Sequence, residues 1–251
     1  MHPMLRRLDD LATHLAVRPD TVALLGLGSA GVDHDRLDEH SDLDFFLVVA
    51  DGAVARYVAE TDWLAAPCPV AYSFANERNG RKARYADGIF VEYAVFTVAE
   101  LSRLPFTGAR VVWQRPDAPP GLADAGAPAP PPTPYDTVEF HLNEALTNLY
   151  VGLHRELRGE RLTAARFIQT YAVDRALALV RLTEPGGHRR DPFDPSRRVE
   201  QAYPPEVLPL AEMVPGYLHN RAAARAMLDW LQARFPVDPV IGGAVRELLA
   251  R

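Results

Sequence analysis

The chain has 251 residues, a formal net charge of −6, 48% hydrophobic residues and a single cysteine, Cys68. That length builds one large domain or two modest ones, each able to bury a core without covalent staples. The mild negative charge argues against a dedicated nucleic-acid binder, which would carry a basic stripe, and one cysteine excludes an internal disulfide framework or a thiolate zinc site.

Met4 to Val17 carries Leu5, Leu8, Leu11, Ala12 and Leu15 at helical spacing, which predicts an amphipathic helix. The first ten residues have charges where a signal peptide needs an apolar run, and no apolar run is long enough to span a bilayer, so a cytoplasmic protein is expected. Two apolar strands follow, over residues 21–26 and 43–50. Between them lie the turn Gly28-Ser29 and a polar loop with the charged insert Val32 to His40. Ser41-Asp42-Leu43-Asp44 then enters the second strand. Side chains alternate along a strand, so Asp42 and Asp44 share a face with Leu43 opposite. Two carboxylates at one strand mouth repel unless a cation lies between them. With no Cys or His beside them they are hard oxygen ligands suited to Mg²⁺, with room left for waters and phosphates. Gly28 lets backbone amides approach a ligand closely and Ser29 adds a hydroxyl donor, so the turn suits a triphosphate.

Gly26-Leu27-Gly28-Ser29-Ala30-Gly31 is also a literal G-x-G-x-x-G, with Asp51 about twenty residues on, where a dinucleotide fold places its ribose-binding acid. That motif must open a helix, and residues 32–41 offer only Val32 and Leu37 among charges, so the dinucleotide reading is set aside.

A helix is expected from Ala53 to Leu64, and strands at Val70–Phe74, Lys82–Ala86, Ile89–Thr97 and Arg110–Gln114. Asp87-Gly88 signals a hairpin turn and places Glu92 within the strand after it. There Glu92 is a third site carboxylate, or it pairs with an arginine such as Arg84 or faces solvent. Residues 116–134 hold eight prolines among alanine and glycine, which predicts an extended linker. Two domains are therefore expected, over residues 1–115 and 135–251. The second reads as helical, with stripes at Val138 to Leu153 and Leu162 to Leu179 and further helices at Val207–Tyr217, Arg221–Phe235 and Val240–Leu249. On it, Glu139, His141, Asn143 and Glu144 are candidates to face a substrate, and Arg158 and Arg166 to neutralise triphosphate charge. Arg166 stands out because its apolar neighbours place it near the buried stripe.

Gly28-Ser29 followed by Ser41-Asp42-Leu43-Asp44 resembles the signature of the DNA polymerase β nucleotidyltransferase superfamily. The chain length, the strand Phe90 to Phe96 and the helical half with Leu157-Arg158-Gly159-Glu160 and Ala165-Arg166 resemble the antibiotic nucleotidyltransferases, closest to the lincosamide type. In that family the loop after Gly-Ser is shorter and its glycine comes a few residues after the serine, whereas here Gly31 comes early. The resemblance implies an α+β fold, a mixed-sheet nucleotidyltransferase domain followed by a helical bundle that binds the second substrate. It further implies a Mg²⁺-dependent transferase that moves a nucleoside monophosphate, from ATP in the first instance, to a hydroxyl of a lincosamide or aminoglycoside antibiotic. Asp42, Asp44 and Glu92 would be catalytic and metal-binding. Gly28, Ser29 and Arg166 would hold the nucleotide, and Glu139, Asn143 and Glu144 the acceptor. A homodimer is implied, with neither a nucleic acid nor a membrane as partner. The alternatives are a protein-modifying nucleotidyltransferase that adenylylates a partner, and an idle relative that only binds nucleotide.

Overall fold

A computed structural model describes residues 2–124, 126, 134–184 and 194–251. The chain divides into two compact units, Met1–Pro130 and Pro131–Arg251, each around its own apolar core.

The first unit opens with α1 (Pro3–Leu15), whose start is fixed by Pro3 at the first helical position and by His2, which accepts a hydrogen bond from the Met4 amide. Strands and short helices follow as β1 (Thr21–Gly26), β2 (Leu43–Val49), α2 (Val54–Ala59), α3 (Asp62–Ala65), β3 (Val70–Ala75), β4 (Gly80–Tyr85), β5 (Phe90–Phe96), α4 (Val98–Leu101) and β6 (Arg110–Gln114). They form one six-stranded sheet in the order β3-β4-β5-β2-β1-β6. Only β2 and β5 run parallel; the other neighbours are antiparallel, so the sheet is mixed.

Strand alternation gives this sheet two unlike faces. Leu43, Phe45 and Leu47 of β2, Val91, Tyr93 and Val95 of β5 and Ala83 and Tyr85 of β4 are buried with α1 and with Tyr57, Val58, Trp63 and Leu64. Phe45 stacks on Tyr93 at 5.2 Å, and Trp63 meets both rings edge-on. On the opposite face a smaller cluster of Val22, Ala23, Leu25 and Val48 is covered by Leu101 and Leu122, with Phe46, Phe96 and Phe106 against it. The rest of that face, from β2 across to β3, carries the polar residues considered below.

Between β1 and β2 the chain makes only 3₁₀ turns at Gly28–Ala30 and His34–Arg36, and β1 lies antiparallel to β2. No helix follows the glycine motif, which removes the dinucleotide reading. The helix expected over 53–64 breaks at Glu60, whose backbone is extended. The break frees two carbonyls, of Tyr57 and Glu60, and both accept from the Trp63 indole N–H as that ring enters the core. The first residues of the linker expected over 116–134 pack on the first unit. Ala118 closes a turn on Arg115, and Leu122 is 1% exposed in the smaller cluster. Pro128, Pro130, Pro131 and Pro132 lie outside the described residues.

The second unit is helical: α5 (Val138–Leu157), α6 (Arg161–Arg166), α7 (Ala172–Thr183), α8 (Val199–Ala202), α9 (Leu210–Met213), α10 (Asn220–Arg234) and α11 (Pro239–Ala250). The expected helix from 162 to 179 is a longer run with a π turn at Phe167–Tyr171 between α6 and α7. The extra residue in that turn lets both Ile168 and Gln169 face inward. Gln169 donates to the Gly216 carbonyl and to Asn220, whose amide in turn donates to Glu156. The helix expected over 207–217 is reduced to Leu210–Met213, hemmed by Pro209 and Pro215. Among the described residues no helix is long and apolar enough to cross a membrane.

Gly152 on α5 decides how closely α5 meets the π turn, because a Cβ there would lie 2.5 Å from Ile168 Cγ1 and 3.0 Å from Phe167 Cβ. Helix propensity alone favours Gly152→Ala by about 1 kcal/mol, while forcing an extra carbon into a filled core costs about 1–3 kcal/mol. The clash wins, and urea denaturation of the variant should show a net loss of stability.

Candidate active site

Parallel pairing of β2 with β5 places Asp44 opposite Glu92, and antiparallel pairing of β4 with β5 places Lys82 opposite the same Glu92. Antiparallel β3 adds Phe74 opposite Lys82. Residues in register on adjacent strands share a face, so Asp44, Glu92, Lys82 and Phe74 form one row across the open face. Asp42 stands just ahead of β2, with Leu43 between the two aspartates fully buried on the other side.

Glu92 is not the buried charge that its apolar neighbours in sequence suggest, since its side chain is 40% exposed on the open face. Its partner is Lys82 rather than Arg84: Lys82 Nζ lies 2.9 Å from Glu92 Oε2. Glu92 Oε1 receives a longer bond of 3.3 Å from the Asn76 amide. The hydrogen bond and charge of Glu92, then the charges of Asp42 and Asp44, raise the Lys82 ammonium above its ordinary pKa. Lys82, the only lysine of the chain, thus feels all three carboxylates. Sequence reasoning missed its role, because the register depends on a three-residue loop, Ala86 to Gly88, where the Asp-Gly signal suggests a two-residue turn that would set Lys82 opposite Tyr93.

The Gly28-Ser29 turn reaches the same place from β1. The Leu27 amide donates to the Asp44 carbonyl at 2.9 Å, tying the turn to the β2 entry. Gly28 has φ +53°, and a Cβ on it would lie 3.3 Å from Asp44 Oδ2. Gly26 and Gly31 are needed for packing, since a Cβ on either would lie 2.4 Å from the Ala30 oxygen or 2.2 Å from the Gly108 oxygen. The three glycines of the motif build a tight turn beside a carboxylate. The charged insert after them stays at the surface, with Asp33, Asp35 and His40 all exposed.

The structure therefore brings together Gly28, the Ser29 backbone, Asp42, Asp44 and Glu92 at one end of β1, β2 and β5. The donor set is hard oxygen, which fits Mg²⁺ held by two carboxylates and substrate phosphates. Among the described residues no three His, Cys, Asp or Glu side chains converge closely enough to hold a metal by themselves. Asp44 and Glu92 lie in one cross-strand row with Lys82 on Glu92, and Asp42 stands two residues before Asp44.

The remaining candidates belong to the second unit. Glu139, Asn143 and Glu144 lie on the exposed side of α5, and the Asn143 amide is spent on the Glu139 carbonyl at 2.9 Å. Arg158 and Arg166 are exposed as well, so Arg166 does not lie in the buried stripe as its neighbours suggested. Its position ends α6 where the π turn shifts the helical register. His141 is the buried polar residue of α5: its Nε2 lies 2.9 Å from Asp136, which also pairs with Arg181. His141 and Arg181 border a cavity of about 390 Å³ with Asp174 and Arg175, and burial raises the Asp174 carboxyl above its ordinary pKa.

No protein-family model matches the chain, and no curated protein sequence matches it. Among solved structures it is similar to a nucleotidyltransferase-like protein from Exiguobacterium sibiricum, at 13% identity and a TM-score of 0.38 over 97% of this chain and 78% of that one. It is also similar to an aminoglycoside 6-adenyltransferase from Bacillus subtilis, at 12% identity and a TM-score of 0.33 over 100% of this chain and 92% of that one. Likeness this remote carries no argument about activity, and the geometry above must do so.

The turn beside Asp44 gives a direct test. Gly28→Ala and Gly52→Ala both place a Cβ on a left-handed residue, at a cost of about 1–2 kcal/mol. At Gly52 nothing lies within 4 Å, whereas at Gly28 the Asp44 carboxylate does. Urea unfolding should show the larger loss for Gly28→Ala.

Proposed function

We propose that this chain is a Mg²⁺-dependent nucleotidyltransferase that moves a nucleoside monophosphate from a nucleoside triphosphate, ATP in the first instance, to a hydroxyl of a small molecule. The observation that carries this reading is the register of Asp44 with Glu92 on parallel neighbours, next to a glycine turn that touches Asp44.

The parts assigned here go to residues of the first unit. Asp42 and Asp44 hold the metal, which when bound neutralises phosphate charge and polarises the phosphorus under attack. Gly28 and the Ser29 hydroxyl take phosphate oxygens. Glu92 pairs through Oε2 with Lys82, and its Oε1, with only its long bond to Asn76, accepts the proton of the acceptor hydroxyl. The acceptor oxygen then bonds to the α-phosphorus, the bond from that phosphorus to the bridging oxygen breaks, and pyrophosphate leaves. The family that the sequence resembles offers a lincosamide or aminoglycoside antibiotic as acceptor, and a homodimer as the working form.

One observation favours an idle nucleotide-binding relative: Lys82 occupies an oxygen of Glu92, where a working site needs a carboxylate ready for a proton or metal. Turnover separates the two readings. Pyrophosphate release should be measured with each common nucleoside triphosphate, Mg²⁺ and a panel of hydroxylated acceptors, using wild type and Asp42→Asn. Acceptor-dependent release that falls at least about a thousandfold in the variant is expected, since a carboxylate that holds charge in the transition state contributes several kcal/mol. Nucleotide binding without release for any acceptor would establish the idle reading.

A further inference from the structure

The open face of the sheet continues beyond Glu92. Next to the row Asp44, Glu92, Lys82, Phe74 runs a second, Phe90, Arg84, Tyr72, fixed by the pairing of Arg84 with Phe90 and of Tyr72 with Arg84. Tyr72 is 58% exposed, Phe74 43% and Phe90 36%, although large aromatic side chains in a sheet usually bury. The rings of Tyr72 and Phe74 lie 5.9 Å apart, tilted by 50°, and form a shelf on the edge strand β3. Arg84 stands between Tyr72 and Phe90 and makes no ion pair among the described residues.

The position of this shelf decides its occupant. The Gly28 turn approaches Asp44 from β1, on one side of β2, while the shelf lies on the other side, across β5 and β4. A triphosphate seated on the turn leaves the shelf to whatever presents its hydroxyl to Glu92. We infer that the shelf of Tyr72, Phe74 and Phe90 receives a planar aromatic ring of the acceptor, with Arg84 favouring a neutral or anionic molecule over a polycation. This inference rests on the nucleotidyltransfer reading. It narrows the acceptor to an aromatic hydroxyl compound, in place of the lincosamide or aminoglycoside that the family resemblance offers, since neither carries an aromatic ring. Ring stacking supplies affinity on a flat surface, and an arginine beside the rings repels cationic substituents.

The probe pair is 8-anilinonaphthalene-1-sulfonate, an aromatic anion, and thioflavin T, an aromatic cation, each titrated by fluorescence into the full chain. The anion should bind and the cation should bind at least about tenfold more weakly, because one added charge interaction at a partly exposed site is worth about a factor of ten. Tyr72→Ser/Phe74→Ser should weaken the anion by at least about tenfold, through lost aromatic contact. Arg84→Gln should narrow the difference between the probes and guards against a folding artefact in the double variant. Tyr217→Ser/Leu218→Ser, which removes exposed apolar side chains of the second unit, should change nothing.

Equal binding of both probes, or anion binding untouched by Tyr72→Ser/Phe74→Ser, overturns the shelf as a ligand site. Displacement of the anion by ATP in Asp42→Asn without Mg²⁺ overturns the acceptor assignment in favour of the nucleobase. A wild-type dimer that becomes monomeric in Tyr72→Ser/Phe74→Ser overturns it in favour of a second copy at the β3 edge. If the probes behave as expected but no Asp42-dependent pyrophosphate release occurs, the nucleotidyltransfer reading fails and the shelf as an aromatic-anion site does not. Release that persists while the probes ignore the shelf overturns the shelf alone.

Discussion

Everything at the site depends on a like-charge contact that a sheet would ordinarily avoid. Parallel pairing of β2 and β5 sets Asp44 beside Glu92, and strands lie about 4.8 Å apart. Two such charges repel by about 1 kcal/mol in water and about 3–4 kcal/mol at the effective dielectric of a partly shielded surface. Lys82, delivered by β4 to the next register position, offsets part of this through its contact with Glu92. Asp42 and Asp44 lie on the side of the row away from it, where the glycine turn closes in. The carboxylate pair thus has a cation at one end and the Gly28 turn at the other, tied to Asp44 by the Leu27 amide, and the proposed function places a divalent cation between them.

The two faces of the sheet divide the labour. One is filled by Phe45, Tyr93, Trp63 and α1, and this packing holds β2 and β5 in register. Rigidity in that core carries directly to the site, because each carboxylate is the sequence neighbour of a fully buried residue: Leu43 separates Asp42 from Asp44, and Val91 and Tyr93 flank Glu92. The other face is closed at one end by Leu101, Leu122 and Phe106 and stays open at the other. A mutation in the covered core should therefore disturb the site through register, and one on the open face through chemistry alone.

Much of this was legible in the sequence. Alternation located the six strands within a residue or two, and the aspartates and the Gly-Ser turn fell where the pattern put them. The hairpin at Asp87-Gly88 was legible but its register was not: a two-residue turn there would set Lys82 against Tyr93, whereas the loop spans Ala86 to Gly88, closed by the Tyr85 amide on the Ile89 carbonyl, and sets Lys82 against Glu92. The adjacency of β2 and β5 was not legible, because it depends on a crossover through α2, α3, β3 and β4 that no local pattern encodes. Nor was the break at Glu60, which arises because the Trp63 indole needs two carbonyls. Arg166 misled for a related reason: periodicity assumes 3.6 residues per turn, and the π turn after it shifts the faces of the helix.

The central claim is that Asp42 and Asp44 form a divalent-cation seat completed by nucleotide phosphates. Titration of Mn²⁺, followed by water-proton relaxation with and without a non-hydrolysable ATP analogue, tests it most directly, with Asp44→Asn alongside. The account predicts weak binding alone, binding at least about tenfold tighter with the analogue, and loss of that gain in the variant. Equal Mn²⁺ binding by both proteins, or no effect of the analogue, would contradict it.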